Sequence, residues 1–240
     1  MSVPDGARVD LAAVHRIIVL EDMHEGTWNH LSAKAPGKSD HLLLTPGHTH
    51  FSRVTASCLL MTDPDGHVVA GAGIPNASAW AIHQPIQKAR PDVICALHVH
   101  PPYATALASL DGWDFNARTS QQAANFYGKV ASYSYEGVVT ESQEGERMAA
   151  ALGDKWVLFL SNHGVLIVGE SIELAIMRLV MLEKACQVEL LALSSGRPIR
   201  PIPERVARRV AGMDREGFGE LGYLDAMKDV LHHQGQDHAS

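Results

Sequence analysis

The chain has 240 residues, 46% of them hydrophobic and 20% charged, and carries a formal net charge of −7 at pH 7. That length buries a sizeable core in one large domain or two small ones, and the composition is that of a compact globular protein. The acidic balance, with no long Lys/Arg stripe, excludes nucleic acid as an expected partner; the basic cluster Arg205, Arg208 and Arg209 reads as a solvated helix face.

No apolar run approaches the ~18 residues that span a bilayer, so no membrane partner is expected. The first residues lack a basic stretch followed by an apolar one, the pattern of a secretory leader. Cys58, Cys95 and Cys186 are odd in number, far apart and in apolar surroundings. They read as free thiols of a reducing compartment, and the cytoplasm is the expected location.

In chain order, Leu11, Val14, Ile17, Ile18 and Val19 recur at helical spacing, predicting a first helix over 9–21. Residues 26–32 lead to a short strand at 42–45, broken by Pro46-Gly47. Residues 58–61 predict another strand. The turn Asp63-Pro64-Asp65-Gly66 joins it to a returning strand at 68–70, an antiparallel hairpin. A helix over 79–90 is closed by Pro91, and an apolar strand over 93–100 follows. Short helices are expected at 104–110 and 119–128, a strand at 130–135, and a helix at 145–152. Residues 156–161 and 165–168 are buried strands flanking Asn162-His163-Gly164. Ser171 is a good N-cap for a helix ending at Ser194-Ser195-Gly196, whose Ile172, Ile176 and Leu179 stripe should face the sheet. Antiparallel strand pairs flanked by helices, without a regular βαβ rhythm, predict an α/β sandwich with a mixed or mostly antiparallel sheet. Residues 1–200 are expected to form the main domain. Residues 201–240 should be a helical extension of the same unit with a polar, disordered end, and His232, His233 and His238 are discounted there as ligands.

The chemistry-bearing pattern is His98-Val99-His100. On a strand, alternate side chains share a face, ~6.6 Å apart along the chain, so the two imidazoles can close on one metal ion. Pro101-Pro102 stops the strand and leaves the pair at a rim. His163 adds a third imidazole on a turn, which is the ligand count of an open catalytic site. In a chain with 14 histidines the pair reads also as two satisfied, partly buried side chains.

The run from Ala89 to Ala108, with Trp28-Asn-His-Leu-Ser32, Val54-Thr-Ala-Ser57 and Ser161-Asn-His-Gly-Val165, resembles the class II aldolase/adducin family over residues 9–195, in order and spacing. That family includes sugar-phosphate aldolases, a pentose-phosphate epimerase, several decarboxylases and the non-enzymatic head of adducin. The resemblance implies a three-layer α/β/α sandwich and one divalent ion per subunit (Mn2+ or Zn2+, with Fe2+ a further option) on His98, His100 and His163. It also implies a homo-oligomer, a tetramer being favoured, with sites between subunits and Gln121, Gln122 or Tyr127 reaching across.

Two departures from the family pattern bear on function. The aldolases' Ser-Ser-Glu-Trp motif reads here Ala77-Ser78-Ala79-Trp80, so their acid/base glutamate is replaced by an alanine that cannot move a proton. General acid–base catalysis is worth ~10²–10⁴-fold. The phosphate-holding loops become Asn29-His30, Gly47-His48 and Ala77-Ser78, where bulky imidazoles and a lost hydroxyl disfavour a phosphorylated sugar. His30 and His48 read either as hydrogen-bond donors to a carboxylate or as surface residues, and they are the candidate catalytic groups. Asn29, His30, His48, Ser78, Trp80, Gln121 and Tyr127 are the candidate substrate contacts. The expected activity is metal-dependent decarboxylation of a hydroxylated, aromatic or pyridine-type (di)carboxylate. The alternatives are an aldol lyase acting on a non-phosphorylated hydroxy-keto substrate and an adducin-like scaffold that catalyses nothing.

Overall fold

The computed structural model describes residues 6–137, 141–213 and 222–240. Its strands are β1 (His30–Ala35), β2 (Lys38–Leu44), β3 (Leu60–Thr62), β4 (Val68–Ala70), β5 (Cys95–Val99), β6 (Val130–Tyr133), β7 (Val157–Leu160) and β8 (Gly164–Gly169). Its helices are α1 (Gly6–Leu20), α2 (Ala77–Ala89), α3 (Pro102–Ala108), α4 (Gln121–Ala124), α5 (Ser142–Leu152), α6 (Ile172–Ser194), α7 (Glu204–Met213) and α8 (Tyr223–His233). The strands form one sheet in the order β4-β3-β2-β1-β5-β8-β7-β6. Only the β6–β7 pair among them is parallel, which makes the sheet mixed and mostly antiparallel.

Alternation along the central strands divides the molecule into three layers. Leu31, Leu97, Ile167 and Val157 are neighbours across β1, β5, β8 and β7. They share one core with Leu11, Val14, Ile17, Ile176, Leu179, Leu224 and Leu231 from α1, α6 and α8. The Ile172, Ile176 and Leu179 stripe thus lies against the sheet, and the Ser171 hydroxyl caps α6 by accepting the Leu174 N–H. The other face carries Ala96, Leu166, Leu158 and Val168, packed with Ile82 and Ile86 of α2 and Met148 and Leu152 of α5. Because the side-chain period is two, His30 and Ser32 of β1 lie on this second face together with His98.

Helices α2 and α5 approach unusually closely. Pro85 sits inside α2 and lacks the N–H that would bond the Ala81 carbonyl. Gly145 of α5 lies directly over that carbonyl, and a Cβ there would overlap it. Glycine at 145 is therefore a requirement of the helix contact. On the first face, His15 of α1 is fully buried, with Nδ1 on the Leu11 carbonyl and Nε2 on the Thr45 hydroxyl, each at 2.7 Å. Burial lowers its pKa to about 4, so the ring is neutral.

Several sequence expectations are corrected. A strand at 30–35 was not foreseen, because His30, Ser32 and Lys34 give β1 a polar face; that face is used by the site described below. Strand β3 starts at Leu60, since Cys58 belongs to a turn in which its N–H and thiol both donate to the Thr55 carbonyl. The helix expected over 119–128 is one turn, Gln121–Ala124, capped by the Ser120 hydroxyl. The end of the chain is held rather than disordered. Ala56 and Ser57 donate to the carbonyls of His238 and Ser240, Arg16 donates to that of Asp237, and His238 is 9% exposed.

Candidate metal centre

His98 is the last residue but one of β5, His100 follows the strand, and His163 lies on the turn from β7 to β8. Their ligand nitrogens all fall within 4.8 Å of one another. Asn162 makes the turn at φ 55°, a left-handed value that asparagine tolerates, and its N–H is held by the Ala108 carbonyl. Gly164 lets β8 pass the His100 ring, because a Cβ there would stand 2.5 Å from His100 Cδ2. Beyond His100, the Glu183 carboxylate accepts the N–H groups of Tyr103 and Ala104, fixing the start of α3 where no N-cap side chain does so. Burial raises the Glu183 pKa against those two hydrogen bonds.

The outer nitrogens of the strand pair are both engaged. His98 Nδ1 donates to the Val165 carbonyl at 3.1 Å, and His100 Nδ1 meets Glu25 Oε2 at 2.5 Å. A carbonyl and a carboxylate both accept, so each Nδ1 carries the proton. The inner Nε2 atoms then face each other at 3.2 Å. Two lone pairs at that distance repel, and a bridging proton or a cation relieves them. This is the arrangement of a histidine–metal site with its outer hydrogen bonds in place, and the residues fit a divalent ion. His98, His100 and His163 would hold it. The ion would supply a Lewis acid with open positions for a chelating substrate. Burial first, and neighbouring imidazoles second, keep His98 well below the usual histidine pKa and His163 at about 4. Both rings are thus in the form that ligates.

A second group of imidazoles stands behind the first. His30 pairs with His98 across β1 and β5, their ring centroids 4.8 Å apart. His30 Nδ1 lies 2.8 Å from His83 Nε2, and His83 Nδ1 lies 2.7 Å from Ser32 Oγ. Ser32 donates to Gln87 Oε1 at 2.8 Å, and Gln87 Nε2 donates to the Ile94 carbonyl at 3.0 Å. His83 and Gln87 lie four residues apart on the buried side of α2, which Ala79 also shares. Burial, then the charge of His98, lowers the His83 pKa to about 3.

The other expected contacts fall out differently. Asn29 is buried; its Oδ1 accepts the Glu25 N–H, and its Nδ2 has no partner among the described residues. His48 is exposed at φ 63°. Ser78 is half-buried in the first turn of α2, its N–H held by Asn76. Trp80 covers Gly66 and packs with Leu42, Leu44 and Ala79. Gln121 is exposed. The Tyr127 hydroxyl donates to Glu204, and Arg208 lies over its ring, so this side chain is committed within its own chain. No hydrogen bond joins these last five to the imidazoles among the described residues. Sequence reasoning missed Glu25, His83 and Gln87. An i, i+4 pair of polar residues on the apolar side of α2 was the signal for the latter two; Glu25 left none.

The family model of the class II aldolase and adducin N-terminal domain matches residues 9–190. An aldolase II superfamily protein from Pseudomonas syringae is 34% identical and superposes with a TM-score of 0.90 over 100% of this chain and 97% of its own. A protein from Glaciozyma antarctica described as L-fuculose 1-phosphate aldolase is 32% identical, with a TM-score of 0.84 over 98% and 92%. Rat alpha-adducin is 31% identical over 79% of this chain, which spans 26% of that longer protein. The chain belongs to the class II aldolase/adducin family.

Proposed function

We propose that the protein is a divalent-metal-dependent carbon–carbon lyase that decarboxylates a hydroxylated, aromatic or pyridine-type carboxylate. The observation that carries this reading is the pairing of an intact three-imidazole cradle with Ala79. A helix position on the same side as His83 and Gln87 offers a methyl group where the family's aldolases carry their acid/base glutamate. A metal ion bound at the cradle would chelate a hydroxyl with its neighbouring carboxylate and take up the negative charge that develops as the C–C bond breaks. Loss of CO2 needs no prior removal of a proton from a substrate hydroxyl, whereas sugar-phosphate cleavage does, so decarboxylation tolerates alanine at 79 better. His48, exposed, is the candidate donor to a second carboxylate. Trp28 and Ile74 are each 74% exposed, and a neighbouring copy covering such large apolar groups would complete the pocket in a homo-oligomer.

Aldol cleavage of a non-phosphorylated hydroxy-keto compound is the second reading, favoured by the 32% identity to the L-fuculose 1-phosphate aldolase. Metal-loaded protein should be incubated with ortho-hydroxybenzoates, hydroxypyridine carboxylates, hydroxy-keto acids and L-fuculose 1-phosphate, with CO2 and carbonyl products both measured. The proposal expects CO2 from a substrate carrying adjacent hydroxyl and carboxylate, and far slower turnover of its deoxy analogue. Carbonyl products without CO2 would establish the aldol reading instead. Full metal occupancy with no turnover of any compound would favour an adducin-like scaffold.

A further inference from the structure

The hydrogen bonds behind the cradle have a direction that can be followed atom by atom. The Ile94 carbonyl only accepts, so the Gln87 amide presents its NH2 there and its oxygen to Ser32. The Ser32 hydroxyl has one proton and gives it to Gln87. Ser32 Oγ can therefore only accept from His83, which places a proton on His83 Nδ1. His83 is 0% exposed and neutral, so its Nε2 bears a lone pair. His30 Nδ1, 2.8 Å away, must then be the donor. In the neutral ring this leaves His30 Nε2 unprotonated. That atom has no hydrogen-bond partner among the described residues, in a side chain that is 1% exposed and lies beside the His98 ring.

From this chain of donors we infer that His30 is a fixed hydrogen-bond acceptor beside the metal cradle, selecting a ligand hydroxyl there and rejecting a carboxylate. Ser32, His83 and Gln87 are the positioning residues that set its polarity. This reverses the donor role expected of His30 from the sequence. It deepens the proposed function and rests on that reading for one point only, that the substrate lies against His98, His100 and His163. The family's aldolases carry their acid/base carboxylate on α2; here α2 acts one step further back, through His83, and the unpartnered atom belongs to β1.

The polarity can be read directly, without substrate or turnover. Long-range ¹H–¹⁵N correlation spectra of histidine-labelled protein, metal-free and then zinc-loaded, should show His30 and His83 both protonated on Nδ1 and bare on Nε2. The two rings are assigned by the signals lost in His30→Phe and His83→Phe. Ser32→Ala should move both rings together away from that tautomer with zinc content unchanged, and Ser32→Thr should restore it. Salicylate and phthalate are the ligand probes for zinc-loaded protein. One lost hydrogen bond is worth about tenfold, so His30→Phe should raise the salicylate Kd by about that factor and, with the rejecting lone pair gone, lower the phthalate Kd. A His30 ring protonated on Nε2, or His83 unmoved by Ser32→Ala, would overturn the relay. An equal loss for both ligands would overturn the hydroxyl preference. Failure of the lyase assay alone would leave the spectra to decide the polarity, so the two claims fail separately.

Discussion

Replacing His163 by alanine should strip the protein of its divalent ion and lower turnover by at least about a thousandfold, while leaving the fold intact. A bound Lewis acid supplies several kcal/mol of charge stabilisation, and each 1.36 kcal/mol is a factor of ten in rate. The turn that carries His163 is held by backbone bonds from Asn162 and His163 to Ala108 and Leu160, which the substitution leaves in place. Circular dichroism should therefore match the parent while elemental analysis of dialysed protein shows the metal lost. His98→Ala should do the same to the metal, at a further cost in stability because His98 is buried and bonded to Val165. Glu25→Gln removes the charge that orients His100 and should weaken metal binding by ~10–100-fold without abolishing it. Retained stoichiometric metal in His163→Ala would contradict the ligand assignment.

The second large effect is acid sensitivity of the metal-free fold. His15 and His83 are buried and neutral, with pKa values lowered by burial to about 4 and about 3 from an ordinary 6.5. Above pH 6.5 both rings are neutral folded or unfolded, and the folded state keeps its full advantage. As pH falls below 6.5 the unfolded chain takes up protons that the folded chain refuses, so stability is lost until the folded rings protonate near pH 3–4. At 1.36 kcal/mol per pH unit the upper figures are roughly 3 kcal/mol for His15 and roughly 5 kcal/mol for His83. Chelator-treated protein unfolded in urea at stepped pH should show this decline between 6.5 and 4. His15→Gln should be less stable at pH 7.5 and show a shallower decline. A stability flat over that window in the parent would show that neither ring is held neutral by the fold.

Much of this was legible in the sequence where local chemistry is unambiguous. The Asp63–Gly66 turn, the Ser171 cap and the periodicity of α6 each specify their element on their own. The His98-x-His100 spacing and the Asn162-His163-Gly164 turn placed three imidazoles at one end of the sheet. Strand β1 was hidden because its alternate residues are polar, and a polar strand face reads as loop until its partners are known. The Glu25–His100 contact spans 75 residues and the His30–His83 contact 53; no periodicity links groups so far apart. The docked end of the chain was missed for the same reason, since a polar tail held by backbone bonds leaves no apolar trace.

X-ray absorption at the metal edge of the zinc-loaded protein tests the central claim most directly. The three-imidazole centre predicts one ion per chain with three nitrogen ligands at ~2.0–2.1 Å, imidazole outer-shell scattering, and the remaining positions filled by exchangeable oxygen. A first shell without three imidazoles, or with sulfur, would contradict it.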